Sequence, residues 1–116
     1  MLGALRNFYG QKLGYCKKDD YKPLFVINWP LFERNAEGKI ESLSNPFTRP
    51  NDEDLPYLDT DPTKIRSTSY DTVLNGVELS SGALRIYDAD VQNKVFEILG
   101  LSDEDIDKRF GFFVKA

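Results

Sequence analysis

Two carboxylates, Asp71 and Glu78, and an arginine, Arg85, share one short stretch, SYDTVLNGVELSSGALRIYD (residues 69–88). At its centre, Asn75-Gly76 is flanked by apolar-alternating segments. This predicts a two-residue hairpin, because a type I′ turn needs positive φ at both central positions. Such a turn pairs Leu74 with Val77, Val73 with Glu78 and Asp71 with Ser80. Opposed residues share a face of the sheet, as do residues two apart on one strand. Asp71, Val73, Glu78 and Ser80 then line one side, with Asp71 the diagonal neighbour of Glu78 at about 7–8 Å. Like charges that close repel unless a cation or a hydrogen-bond donor sits between them. The residues alone leave two readings open, a cation-holding pair or a solvated polar face.

Arg85 raises a question of register. Strict alternation keeps Ser80, Gly82 and Leu84 on the carboxylate side and turns Arg85 to the other. Gly82 follows two serines and breaks the apolar pattern, as the glycine of a β-bulge does. One bulge near Ser81-Gly82 would bring Arg85 to the acidic side and turn Leu84 and Ile86 into the core, and that bulge is the expectation.

The elements that must position this hairpin follow from pattern. Residues 2–13 carry apolar side chains near helical period, with Gly14 as C-cap. The run Leu24-Phe25-Val26-Ile27 reads as a strand buried on both faces, ended by Trp29-Pro30. Residues 31–33 and 39–43 form a hairpin around Asn35-Ala36-Glu37-Gly38. Residues 44–62 are loop-rich, broken by Pro46, Pro50, Pro56 and Pro62, and a loop of this length is usually functional or a lid. Within it Asp52-Glu53-Asp54 is expected to be a solvated helix start favoured by the helix dipole. Residues 88–99 form a helix N-capped by Asp88 or Asp90, with Val91, Val95, Phe96, Ile98 and Leu99 on its apolar side and Gly100 as its stop. A second helix begins at Ser102 in a capping box with Asp105, and Ile106, Phe110 and Phe113 form its stripe. This order implies an α+β fold on an antiparallel sheet.

Composition narrows the chemistry. With 116 residues the chain is one domain or part of one, and 41% apolar residues with fifteen aromatics can build a core. A net charge of −4 argues against a free-standing nucleic-acid binder. The absence of histidine excludes Ser-His and Cys-His nucleophiles and imidazole zinc sites, and leaves a hard-metal site of oxygen ligands open. The single cysteine, Cys16, reads as an inert, partly buried thiol, and one cysteine favours a reducing compartment. The opening MLGALRNFYGQKLG lacks the apolar core of a signal peptide or membrane anchor, so a cytoplasmic location is expected. Trp29, Phe32 and Phe47 are expected to be core or loop anchors, and Arg6 and Lys12 ordinary surface charges.

Several segments together resemble the bacterial type of aspartyl-tRNA synthetase, a class II aminoacyl-tRNA synthetase. They are GALRNFYGQKLG, FVINWPLFE (residues 25–33), NPFTRPNDEDL (45–55), SYDTVLNGVELSSGALRI (69–86) and VFEILGLSDEDIDKRFGFFVKA (95–116), in the family's order and spacing. The resemblance implies that residues 1–116 are the C-terminal part of a catalytic domain, between an inserted domain and the third signature motif. It further implies that Asp71 and Glu78 hold Mg²⁺ and, through it, ATP. It makes Arg85 the clamp on the side-chain carboxylate of L-aspartate, by the planar pairing that suits arginine. Ser81 and Gly82 match the pocket floor. Ser44 and Asn45 stand where a His-His pair usually precedes PFT, the first of that pair touching the substrate, and Asn45 retains a hydrogen-bond donor. Asn28 replaces the usual aspartate, and Ser80-Ser81-Gly82 replaces a triple glycine.

The reaction so implied is ATP-dependent activation of L-aspartate and transfer to tRNA(Asp), with no protein nucleophile, in a complete enzyme that is a homodimer and not membrane-bound. Both arginine-bearing phosphate motifs are missing from these 116 residues, so the isolated chain is expected to be inactive. Two other readings stay open: a truncated or standalone non-catalytic paralogue with a binding or structural role, and an asparagine ligase of the same class.

Overall fold

Asn75 and Gly76 adopt φ of 50° and 83° and reverse the chain between β4 (Tyr70–Leu74) and β5 (Val77–Gly82), as the turn chemistry requires. The computed structural model describes residues 2–114, so Lys115 and Ala116, the end of the last quoted segment, lie outside the described residues. The architecture is α+β. Antiparallel β1 (Pro23–Ile27), β4 and β5 form a three-stranded sheet in the order β1-β4-β5. A separate hairpin joins β2 (Phe32–Arg34) and β3 (Ile40–Ser42) around Asn35. Among the described residues three α-helices, α1 (Leu2–Lys12), α2 (Ala89–Ile98) and α3 (Asp103–Val114), complete it.

The helix ends follow their local chemistry. Asp88 caps α2 by accepting from the backbone N–H groups of Asp90 and Val91, and Gly100 follows with φ of 67°. Ahead of α3, Ser102 Oγ accepts from Asp105 N–H at 3.2 Å while the Asp105 carboxylate accepts from Ser102 N–H at 3.2 Å. This is the reciprocal arrangement of a capping box. Gly14, beyond α1, has φ of 71°.

The core lies beside the three-stranded sheet rather than against it. Leu31, Phe32, Leu58, Ile65, Ile86 and Val95 form one buried cluster, drawn from the start of the β2 hairpin, residues 58–65, the segment after β5 and α2. Phe47 is also buried, against the rings of Phe96, Phe110 and Phe113. By contrast, β1 is not buried on both faces as its apolar run predicted: Phe25 is 67% and Ile27 61% exposed. A short apolar run marks a surface suited to cover, and does not say whether cover is present. Trp29 is likewise 41% exposed, and Cys16 is exposed rather than partly buried.

Within residues 44–62 a 3₁₀ helix, Asp52–Asp59, begins at the acidic run expected to start a helix. Its acidic start is not all solvated. Asp54 is only 4% exposed and accepts from Arg66 three times: backbone N–H (2.9 Å), Nε (2.8 Å) and Nη2 (2.9 Å). The Arg66 side chain, followed by its backbone N–H, holds the Asp54 carboxyl below the ordinary range despite burial. A carboxylate this deep is retained because its partner is a bidentate arginine. Among the described residues no helix is long and apolar enough to cross a membrane.

Candidate functional site

The register of β4 with β5 contains a bulge, two to three residues earlier than expected. Val73 pairs with Glu78 but Thr72 pairs with Ser80, so Leu79 is the extra residue. Asp71 therefore opposes Ser81, where unbroken pairing predicted Ser80. By this register Asp71, Val73, Glu78 and Ser81 belong to one side of the sheet.

A cleft of about 520 Å³ opens on that side. Its wall collects Ser44 and Asn45 from the loop after β3, Asp71 from β4, and Ser81 and Gly82 from the end of β5. Trp29, Leu31 and Leu43 give it an apolar side, and Ser67 and Ser69 add hydroxyls. Neither Glu78 nor Arg85 lines it. Glu78 is exposed near the hairpin turn. Arg85 instead donates from Nη2 to the Phe113 carbonyl oxygen at 2.6 Å. Its guanidinium carbon stands 4.2 Å from the centre of the Phe113 ring and 5.9 Å from that of Phe47.

The expectation that a bulge would bring Arg85 to the acidic side is thus corrected. Strand pairing with β4 ends at Gly82, and Arg85 bridges instead to Thr48. Alternation counted through Ala83 and Leu84 has no strand to follow there. Of the two residues expected in the core, Ile86 is buried and Leu84 is 59% exposed.

Asn45 is partly committed to the fold. Its Oδ1 accepts from Phe47 N–H (3.0 Å) and Thr48 Oγ1 (3.3 Å), an Asx turn that shapes the Pro46-Phe47-Thr48 segment. The amide nitrogen, 3.4 Å from Ser44 Oγ, is its remaining donor. Gly82 has a reason the sequence did not reveal. A Cβ there would fall 2.7 Å from the Tyr70 hydroxyl, so the Tyr70 ring occupies the side-chain space. Ser67, Ser69 and Trp29 were not singled out for the site. Extending the Asp71 alternation backwards would have found Ser69.

Among the described residues no group of three or more His, Cys, Asp or Glu could hold a metal ion. A small hard cation commonly takes one or two carboxylates and fills its other positions with water and substrate phosphates. On this side of the sheet the carboxylates are Asp71, in the cleft wall, and Glu78, exposed near the turn and outside the cleft.

Comparison with known proteins bears on all of this. Residues 8–116 match the family model described as tRNA synthetases class II (D, K and N). The chain is 48% identical over 116 residues to the aspartate–tRNA ligase of Lysinibacillus sphaericus, covering 99% of this chain and 20% of the relative. It is 45% identical over 117 residues to the aspartate–tRNA(Asp/Asn) ligase of Dehalococcoides mccartyi, covering 100% and 20%. With the Chlamydia caviae aspartate–tRNA(Asp/Asn) ligase it shares 49% over 115 residues, 99% of this chain and 20% of the relative. The chain spans about one fifth of the length of these curated relatives. An α+β fold carrying this cleft, matched from residue 8 onward, belongs to the class II tRNA synthetases of the D, K and N group.

Proposed function

We propose that this chain is the part of an aspartate–tRNA ligase catalytic domain that receives L-aspartate and the metal-bound phosphates of ATP. The observation that carries the reading is the cleft, which gathers Ser44-Asn45, Asp71 and Ser81-Gly82 from three separated stretches onto one wall. In the complete enzyme the aspartate α-carboxylate attacks the α-phosphate of ATP, releasing pyrophosphate, and the aspartyl group then passes to the terminal ribose of tRNA(Asp). Asp71 and Glu78 would hold Mg²⁺, which when bound offsets phosphate charge. Ser81 and Gly82 floor the amino-acid pocket, Asn45 offers an amide donor beside Ser44, and Arg85 receives the substrate's side-chain carboxylate. This chemistry needs positioning and charge neutralisation rather than a nucleophilic side chain. On the same reading the complete enzyme is a cytoplasmic homodimer, and the 116 residues alone do not form the adenylate.

A second reading, a non-catalytic relative with a binding role, draws on two observations: Ser44-Asn45 in place of a histidine pair, and Arg85 engaged with Phe113. Titration of the chain with a non-hydrolysable aspartyl-adenylate analogue and Mg²⁺ separates them. The ligase reading expects saturable binding, weakened at least about tenfold by Arg85→Ala, since loss of a charge-assisted pair is worth about 1.5–3 kcal/mol. A folded chain that shows no saturable binding overturns it in favour of the second.

A further inference from the structure

We propose that Phe113 of α3 latches Arg85, and that a carboxylate entering the cleft opens the latch by competing for the guanidinium. The inference rests on the reading above, in which Arg85 receives the substrate's side-chain carboxylate, and adds a control on when it does so.

Three features build the latch. The Phe113 carbonyl takes one guanidinium N–H at 2.6 Å. The Phe113 ring lies against the guanidinium at 4.2 Å. Phe113 is itself held by Phe47, whose ring centre is 4.4 Å away. Phe47 belongs to the loop segment next to Asn45, so its ring contacts with Phe110 and Phe113 tie the cleft wall to α3. The backbone on either side of Arg85 is fixed by Ile86 N–H to Phe47 O and Arg49 N–H to Leu84 O, both 2.8 Å.

Opening therefore needs only side-chain rotation. Ala83, two residues earlier, already lines the cleft, and two extended residues span about 7 Å. The latch is also weak enough to open, because the bond to Phe113 is exposed and its acceptor is neutral. A carboxylate offers a charged, two-pronged acceptor that matches the guanidinium fork. An empty cleft thus leaves Arg85 held by α3, and a filled one draws it away.

The test uses the whole chain and L-aspartate as the probe. Phe113→Leu keeps apolar bulk against Phe47 but removes the π-face beneath the guanidinium. Aspartate affinity is expected to rise about two- to fivefold, the worth of an exposed cation–π contact, and not to rise when Arg85→Ala is also present. Unchanged or weaker binding in Phe113→Leu, with Arg85→Ala still lowering affinity, overturns the latch and leaves the cleft reading intact. If Arg85→Ala itself leaves affinity unchanged, the clamp reading fails first and the latch falls with it.

A second readout needs no substitution. The Arg85 side-chain ¹⁵N–H resonance is expected to be ring-current shifted in the free chain and to lose that shift at saturation. A resonance unmoved at saturating aspartate overturns the proposal.

Discussion

Gly82 and Tyr70 decide a local question of space. The Tyr70 hydroxyl, ring carbon Cζ and Cε1 lie 2.7, 2.8 and 3.0 Å from where a Cβ at position 82 would stand. Since the crowding atoms are the far end of a side chain that is 42% exposed, the ring can swing out. Gly82→Ala is expected to cost about 1 kcal/mol, the low end for overpacking. That cost should shrink to near zero in a Tyr70→Ala background, as read by a double-mutant cycle in urea. A different residue-scale argument applies to Arg66. Its Nε and Nη2 meet both oxygens of Asp54 while its backbone N–H takes a further bond. A lysine can keep the charge but not the fork. Arg66→Lys should therefore lose most of the thermal stability that Arg66→Ala loses, measured as the fall in Tm. A lysine variant as stable as the parent would mean that the charge alone suffices.

Among the elements, the β4–β5 turn does more than reverse the chain. Asn75 Oδ1 accepts from Lys22 N–H (2.8 Å) and its Nδ2 donates to the Asp20 carbonyl (2.6 Å), fastening the hairpin to the approach of β1. Asn75→Gly preserves the left-handed φ and removes both bonds. The expected loss is about 1–2 kcal/mol, as for two exposed neutral hydrogen bonds, seen as a lower urea midpoint. Features written into a few adjacent residues were legible in this way. Asn75-Gly76, the Asp88 cap and the Ser102–Asp105 box are local bargains between side chain and backbone, and each formed where the sequence marked it. Of the Asp71 side of the hairpin, the pairing next to the turn (Val73 with Glu78) was legible because two-residue turns fix register, but Ser80 was misplaced and Ser81 faces Asp71 instead. The bulge at Leu79, the Arg85–Phe113 contact and the burial of Asp54 were not legible. The Arg85–Phe113 contact and the burial of Asp54 depend on residues 28 and 12 positions away, and strand periodicity has no term for that or for an extra residue within a ladder. The exposed β1 shows the converse, since an apolar run records suitability for burial and not its occurrence.

At the scale of the whole molecule, stability is distributed unevenly. The Cα radius of gyration is 17.9 Å, against about 13 Å for a closed domain of this length. The excess reflects parts that stand away from the core: α1 contains no buried residue, and β1 is mostly exposed. Regions with few buried apolar contacts open at low free-energy cost. Amide exchange should accordingly be slowest at Leu31, Phe32, Val95 and Phe96, and fast throughout α1. Protection in α1 equal to that of α2 would contradict this. The pH dependence follows from the carboxylates. Asp54 is held below the ordinary range by Arg66, Asp61 by the Thr63 side chain, and Asp105 by the Ser102 side chain. A carboxyl whose folded pKa lies below its unfolded value of about 3.9 stabilises the fold fully above that value, and less as pH falls through the folded one. Lys94 is shifted upward, chiefly by Asp59. Its stabilisation is present below its ordinary pKa and is lost only in strong alkali. With no histidine in the chain, no imidazole titrates between these limits. The urea midpoint is therefore expected to be level from about pH 5 to 8 and to drop below about pH 4. Asp54→Asn should flatten that drop while lowering the plateau, because it removes the titrating group and leaves Arg66 only the exposed Glu53 carboxylate as a charged partner. A drop of unchanged steepness in Asp54→Asn would assign acid sensitivity to the other carboxylates instead.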